Sequence, residues 1–408
     1  MKKNIGILFP PPESGGVFQY ALSITNSLIN YSDKFDYTIF YHEGQKPNLF
    51  SDKEKILLNY VALPRSQISL IRKILHFLNL IFGGKIFLVK TLSKALKNTN
   101  TDLVIIPTPS SFYLPLNVPY IVTVHDYLHK YYPDSPEYTF DEIITRDIIY
   151  KYCANHSVLV VASSETGVND LRKFSNIKKE KVRIISYIPP NYVYQYKDIN
   201  EETVADLLST YHLPEKFIFY PAQFWYQKNH ARLIKALYLI KEKHKIKIPL
   251  VLVGYAKGNS IFESVYKEIM TLLKNLGMTN QVTHLGYVGG KEMVALYKKA
   301  TALITPSLSG PITIPPIEAM FLGTPVATTN LFEVPKQVGD AGLLFDPLNI
   351  EDMAEKIYTI WTDENLRKEL IQKGYERTKE LTLENYARQW EKVIEEALKI
   401  YEEKGRKL

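Results

Sequence analysis

One cysteine, Cys153, stands among 408 residues. Intrachain disulfides and a multi-cysteine zinc site are thereby excluded, and a reducing, cytoplasmic compartment is the expectation. No Asp-x-Asp pair occurs. A carboxylate-bridged metal–diphosphate site therefore has no evident donor set, and neither a metal nor another cofactor is expected. His125 and His129 do have the spacing of a helical metal pair. But His125 is expected to end a strand, and the glutamate of a zinc-protease motif is missing. There is no Gly-x-Ser-x-Gly elbow for a serine nucleophile and no Gly-x-Gly-x-x-Gly dinucleotide fingerprint. Long apolar runs are missing too, so no membrane-spanning helix, which needs about 18 or more such residues, is expected. The opening MKKNIGILFP halts at Pro10 without a small-residue cleavage site. It reads as a buried first strand rather than a signal peptide.

Acidic residues are absent over one long stretch. From Lys55 to Thr101 there is no Asp or Glu, whereas Lys55, Arg65, Arg72, Lys73, Lys85, Lys90, Lys94 and Lys97 are all basic. The formal charge of +7 thus resides in that segment, and the rest of the chain is close to neutral. A nucleic-acid binder spreads basic residues over a face and interleaves aromatics, so nucleic acid is not an expected partner. One local basic segment suits an anionic membrane surface better. Within it, Ile71, Ile74, Leu75, Leu78, Ile81 and Phe82 form an apolar stripe at helical spacing, with Arg72, Lys73, His76 and Asn79 turned away. The stripe serves equally a helix packed on its own domain or one lying in a membrane plane. The membrane reading makes Arg72, Lys73 and Lys85 the contacts, each worth on the order of 1 kcal/mol. It predicts that changing these three to Glu abolishes flotation with anionic liposomes; equal flotation of the variant refutes it.

What is present is an ordinary globular composition, 46% hydrophobic and 23% charged, in a chain long enough for two or three domains. Apolar runs at Asn4–Phe9, Tyr37–Tyr41, Leu103–Pro107, Tyr120–His125 and Ser157–Ala162 predict strands covered on both faces. Gly15–Asn30 predicts a helix entered through a Gly-rich turn. The alternation breaks in a Pro- and Tyr-rich stretch after Ile188 and restarts with strand Phe217–Pro221. Helix His230–His244, strand Pro249–Gly254, helix Ile261–Leu276 and strands Val282–Leu285 and Ala302–Thr305 follow. The expected organisation is a Rossmann-like domain over 1–195, a linker over 196–213, a second Rossmann-like domain over 214–380, and a helix over 381–408 returning to the first. Asp363 and Thr382 are the expected N-caps of two terminal helices. Two doubly wound α/β sheets in series would face each other across a cleft, since ligands of such sheets bind beyond the carboxyl ends of the strands.

The segment PSLSGPITIPPIEAMFLGTPVATTN, Pro306 to Asn330, follows the strand Ala302–Thr305. Pro315 and Pro316 suit the first turn of a helix, where a missing N–H costs nothing. Gly323 suits its end. Amides of the Gly310–Ile314 loop and the helix N-terminus can bind phosphate. Glu318, expected in the first turn, would repel a phosphate but would suit a neighbouring diol such as a ribose. Lys228 follows a strand and precedes a helix, where it can bring a point charge to a phosphate. His125 ends a strand, with Asp126 beside it to orient it or cap the loop. His230 is expected to cap or pack its helix.

This segment resembles the site motif of the retaining glycosyltransferases of family 4, which have the two-domain GT-B fold, and the resemblance covers nearly the whole chain. It implies that Glu318 holds the nucleotide ribose, that Lys228 binds the donor diphosphate, and that Ser307, Thr313 and Ile314 line the phosphate loop. A first glutamate common in the family would fall at Gly310, and an arginine before the lysine would fall at Gln223. Glu13–Val17, with Gly15 and Gly16, resembles the family's glycine-rich loop near the donor phosphate. His125 resembles its histidine facing the donor sugar. Gly254, Gly286 and Tyr287 correspond to loops that enclose the nucleobase. The implied activity is transfer of a hexose or deoxyhexose, mannose- or rhamnose-like, from a nucleotide-sugar to a glycan or lipid-linked glycan, without a metal, in cell-surface polysaccharide assembly. A sugar-nucleotide epimerase or phosphorylase of the same fold is one alternative; a non-catalytic sugar-binding protein is another.

Overall fold

The computed structural model describes residues 2–47, 49, 58–63, 90–110, 116–256, 260–308, 310 and 312–403. Arg72, Lys73, Lys85 and the apolar stripe of 68–82 lie outside these residues. Two compact units emerge. Unit 1 comprises 1–127, 140–188 and 381–408; unit 2 comprises 128–139 and 189–380.

Unit 1 is built on strands β1 (Lys3–Leu8), β2 (Phe35–His42), β3 (Leu58–Leu63), β4 (Leu103–Ile106), β5 (Tyr120–Thr123), β6 (Leu159–Ala162) and β7 (Val182–Ile184). Among the described residues they form one parallel sheet in the order β3-β2-β1-β4-β5-β6-β7. Every residue of β4, β5 and β6 is buried, which is why these strands read as unbroken apolar runs rather than alternating ones. The chain moves outward in one direction from β1 and in the other from β4. The switch point between them is where a ligand crevice forms in such sheets. The turn carrying Gly15 follows β1, Pro107 follows β4 and His125 follows β5.

Unit 2 repeats the plan with β8 (Ile218–Pro221), β9 (Leu250–Val253), β10 (Val282–His284), β11 (Ala302–Thr305), β12 (Val326–Thr329) and β13 (Gly342–Phe345). Their order is β10-β9-β8-β11-β12-β13, again parallel, with the switch between β8 and β11. The loop bearing Lys228 leaves β8 and the loop bearing Ser307 leaves β11. Both candidate phosphate elements therefore lie at the switch point.

The chain returns to unit 1 at its end, where helix Leu383–Glu403 packs on helix Gly16–Tyr31. Asp363 caps its helix by accepting from the Leu366 N–H at 2.9 Å. Thr382 does the same for Asn385 at 3.1 Å. The stretch 196–213 is not an open linker. It holds helix Glu201–Ser209, whose start is fixed by Asn200 accepting from the Thr203 N–H, and Val204 and Leu208 sink into the core of unit 2. The longer segment of unit 2 begins at Pro189. Cys153 is fully buried, and burial pushes its thiol far above the usual range; it is a core residue, not a nucleophile. Among the described residues, no helix is long and apolar enough to cross a membrane.

Candidate functional site

In unit 2 a buried tyrosine joins the two loops at the switch point. The Tyr220 hydroxyl, at the end of β8, donates to the Lys228 carbonyl at 2.8 Å and lies 3.1 Å from the Ser307 hydroxyl. The Leu308 N–H donates to the Gln227 carbonyl at 2.8 Å. Asn229 adopts the left-handed conformation, φ 58°, which asparagine tolerates better than most residues. Its side-chain amide donates to the carbonyls of Pro306 and Pro347 at 3.0 and 2.8 Å. Lys228 and Ser307 are thereby fixed side by side beyond the strand ends. Glu137, from the 128–139 segment of this unit, accepts from the Gln227 N–H at 3.1 Å. Burial raises its pKa, while hydrogen bonds and the Lys228 charge pull the other way. His230 is buried against Phe224 and Tyr220, its ring stacked on Phe224 at 4.8 Å. It packs, as its sequence context suggested.

Glu318 sits deeper than the sequence implied. The helix begins at Ile314 with Thr313 at its N-cap, and ends at Gly323 in the left-handed conformation. Pro315 and Pro316 occupy its first turn, so Glu318 falls one turn in rather than at the start. Its side chain is 4% exposed. One carboxylate oxygen accepts from the Tyr192 hydroxyl, and the other accepts from the Tyr297 hydroxyl at 2.6 Å. Burial raises the Glu318 pKa and the two tyrosine donors oppose that rise. A buried carboxylate is tolerable only when paired in this way.

The phosphate loop also differs from expectation. The Thr313 N–H is not available to a phosphate, because it donates to the Gln337 side chain at 3.1 Å. The Gln337 amide in turn donates to the Thr313 carbonyl. Ile314 is the first residue of the helix, where an N–H has no acceptor within its own helix. Gly310 has φ 99°, a conformation that residues with a Cβ rarely adopt. The loop is thus shaped around a glycine there, and a larger residue would require another backbone path.

The loops beyond β9 and β10 hold each other. The Gly254 N–H donates to the Gly286 carbonyl at 2.9 Å. A Cβ on Gly254 would meet the Ala222 carbonyl oxygen at 2.3 Å, so only glycine allows this approach. Gln223 accepts from the Trp225 indole at 3.1 Å. Tyr255 and Tyr287 stack with ring centroids 5.0 Å apart and are 47% and 67% exposed, presenting an aromatic surface beside Gly254 and Gly286.

In unit 1, Gly15 takes φ 59° where the chain turns into helix Gly16–Tyr31. His125 follows β5. Its Nε2–H donates to the Pro107 carbonyl at 2.8 Å. Nδ1 is then the acceptor for the Tyr187 hydroxyl at 2.6 Å. Tyr20 meets the ring edge-on at 4.9 Å. Burial lowers the His125 pKa, against the raising effect of Asp126. Neither ring nitrogen is left over for a sugar hydroxyl in this arrangement. Among the described residues no group of three or more His, Cys, Asp or Glu side chains is placed to hold a metal ion.

Reading the sequence did not single out Tyr192, Tyr297, Tyr220, Asn229, Glu137 or Gln337. Only Asn229 carried a local signal, since an asparagine between a lysine and a helix start is a common left-handed turn residue.

Residues 14–187 match the family model described as Glycosyltransferase Family 4, and residues 211–377 match Glycosyl transferases group 1. The serotype-specific mannosyltransferase WbdA of Escherichia coli is 24% identical over 212 residues, 52% of this chain and 25% of that protein. The chain thus spans about a quarter of that relative's length. Among solved structures, sucrose-phosphate synthase of Thermosynechococcus elongatus superposes with TM-score 0.75 at 19% identity, over 97% of this chain and 99% of that one. HepE of Anabaena, solved with UDP-glucose, gives TM-score 0.71 at 16% identity, over 96% and 99%. These likenesses are of fold, and the fold of two doubly wound sheets is GT-B. With one family model on each half, the chain belongs to the family 4 glycosyltransferases.

Proposed function

We propose that the protein transfers a hexose or deoxyhexose from a nucleotide-sugar to a glycan acceptor, with retention of configuration and without a metal. The observation that carries this reading is the fastening of Lys228 to Ser307 at the β8/β11 switch point, with Glu318 on the helix that follows the Ser307 loop. Such a pair of loops meets the needs of a nucleoside diphosphate. Lys228 supplies a point charge to the diphosphate and the Ile314 end of the helix supplies a partial positive charge. Glu318 takes the ribose hydroxyls, and the Tyr255–Tyr287 face lies beside the loops for the base. The Gly310 loop stands where the family's first glutamate would be, and donor-sugar choice is assigned to Gly310–Thr313. His125 is assigned to the donor sugar on its likeness to the family's histidine. In the reaction the bond from the sugar anomeric carbon to the phosphate oxygen breaks and a bond to the acceptor oxygen forms. The acceptor proton ends on the leaving phosphate.

WbdA is named as a mannosyltransferase and HepE was solved with UDP-glucose; both support a nucleotide-sugar here, with polysaccharide or lipid-linked glycan assembly as the setting. The test is to supply UDP-, GDP-, ADP- and dTDP-linked sugars with and without glycan acceptors. Acceptor-dependent release of nucleoside diphosphate is expected. Formation of an epimer without acceptor, or no release from any of the four, overturns the reading.

A further inference from the structure

We propose that the Tyr192 hydroxyl occupies the ribose seat on Glu318, and that a nucleotide binds by displacing it. The inference rests on the reading of Glu318 as the ribose carboxylate. With 4% of Glu318 exposed and a tyrosine hydroxyl on each oxygen, little of the carboxylate is open to a diol. One partner has to leave.

The two tyrosines are not equivalent. Tyr297 is fully buried. Its ring packs edge-on against Phe219 at 5.1 Å, and its carbonyl accepts from the Thr324 hydroxyl at 2.8 Å. It grips Glu318 from the core side and is a positioning residue. Tyr192 is only half-buried. Its helix, Asn191–Tyr196, is anchored by other residues: Val193 is fully buried, and Tyr194 packs edge-on against Phe321 at 5.1 Å. Tyr192 can therefore rotate away while the helix stays.

Gly290 makes room for the seated ring. A Cβ at position 290 would come 2.7 Å from the Tyr192 Cβ. The exchange is chemically even, since one O–H donor to a carboxylate replaces another. Its cost is the Tyr192 bond that the free protein must give up, and a hydrogen bond to a charged group is strong enough to weaken nucleotide binding about tenfold.

Calorimetric titration of UDP, GDP, ADP and dTDP into the full chain at pH 8 tests this. The nucleotide that binds the unaltered protein is expected to bind Tyr192→Phe about tenfold tighter. Tyr192→Leu, which also removes the hydroxyl, is expected to show a gain of the same sign should the first variant not fold. Tyr297→Phe is expected to bind more weakly, because it loosens the carboxylate without clearing its open side. Equal or weaker binding by the folded Tyr192 variants overturns the proposal while leaving the ribose reading in place. If none of the four nucleotides binds either the unaltered protein or the variants, the ribose reading itself falls, and this inference with it.

Discussion

Lys228→Ala is expected to lower acceptor-dependent release of nucleoside diphosphate by a factor of about 10² to 10³, with the melting temperature nearly unchanged. The two outcomes separate because the side chain and backbone of Lys228 do different things. Tyr220 grips the Lys228 carbonyl, and Asn229 and Leu308 complete the join to the 306–308 loop. None of these bonds uses the lysine side chain, so these bonds survive in the alanine variant. What is lost is a cation beside the diphosphate, where charge grows as the sugar leaves. Water cannot replace that charge cheaply, because it must reorient during the reaction whereas a fixed cation does not. Glu137 sharpens the effect. Its carboxylate holds the Gln227 N–H and would repel a diphosphate. Removal of the neighbouring cation leaves that repulsion unopposed. Lys228→Arg is expected to recover part of the rate, since the charge returns on a broader group. Turnover by a folded Lys228→Ala protein at the unaltered rate would remove Lys228 from the site.

Local pattern made legible those parts of the molecule whose cause is local. The buried parallel strands were readable because both faces are covered, so Asn4–Phe9 and Ala302–Thr305 are largely apolar. The caps at Asp363 and Thr382 were readable because the accepting side chain and the donor N–H lie within three residues. β3, β7 and β13 were not singled out. They are sheet edges with partly exposed residues, and their short runs resemble loops. The helix inside 196–213 did carry a signal, Asn200 followed by Glu201 and Glu202, overshadowed by the prolines before it. At the site, Glu318, Lys228 and His125 stood out through their positions after strands. The groups that set their behaviour did not, because these come from far along the chain. Tyr192 is 126 residues from Glu318, Tyr187 is 62 from His125, and Glu137 is 90 from Gln227. Tyrosine is abundant here, with 29 in the chain, and nothing local tells a carboxylate partner from a core aromatic.

Trp390→Ala is expected to destabilise unit 1 by about 3–5 kcal/mol, the largest loss among single changes in the terminal helix. Trp390 is fully buried, on the same face as Tyr386, Ala387, Ile394 and Ala397, each of them 1% exposed or less. That face lies on helix Gly16–Tyr31, which starts at the Gly15 turn. The helix is also tied by ion pairs: Arg183 to Glu396, Lys34 to Glu395 at 2.7 Å and Lys3 to Glu402 at 3.2 Å. These lie at partly or largely exposed positions, where a pair contributes about 0–1 kcal/mol. Burial of an indole outweighs all three, since its loss removes apolar contact and leaves a cavity that neighbouring helices fill only in part. Urea unfolding should therefore show the transition of unit 1 moving to much lower denaturant in Trp390→Ala, and scarcely moving in Lys34→Ala. A Trp390→Ala transition matching that of the unaltered protein would mean that the terminal helix does not complete unit 1. With that loss the Gly15 turn, entered from β1 and supported by the helix that Trp390 covers, is expected to lose its fixed geometry as well. The terminal helix would then act on function through the shape of a loop some 370 residues earlier in sequence, without touching a substrate itself.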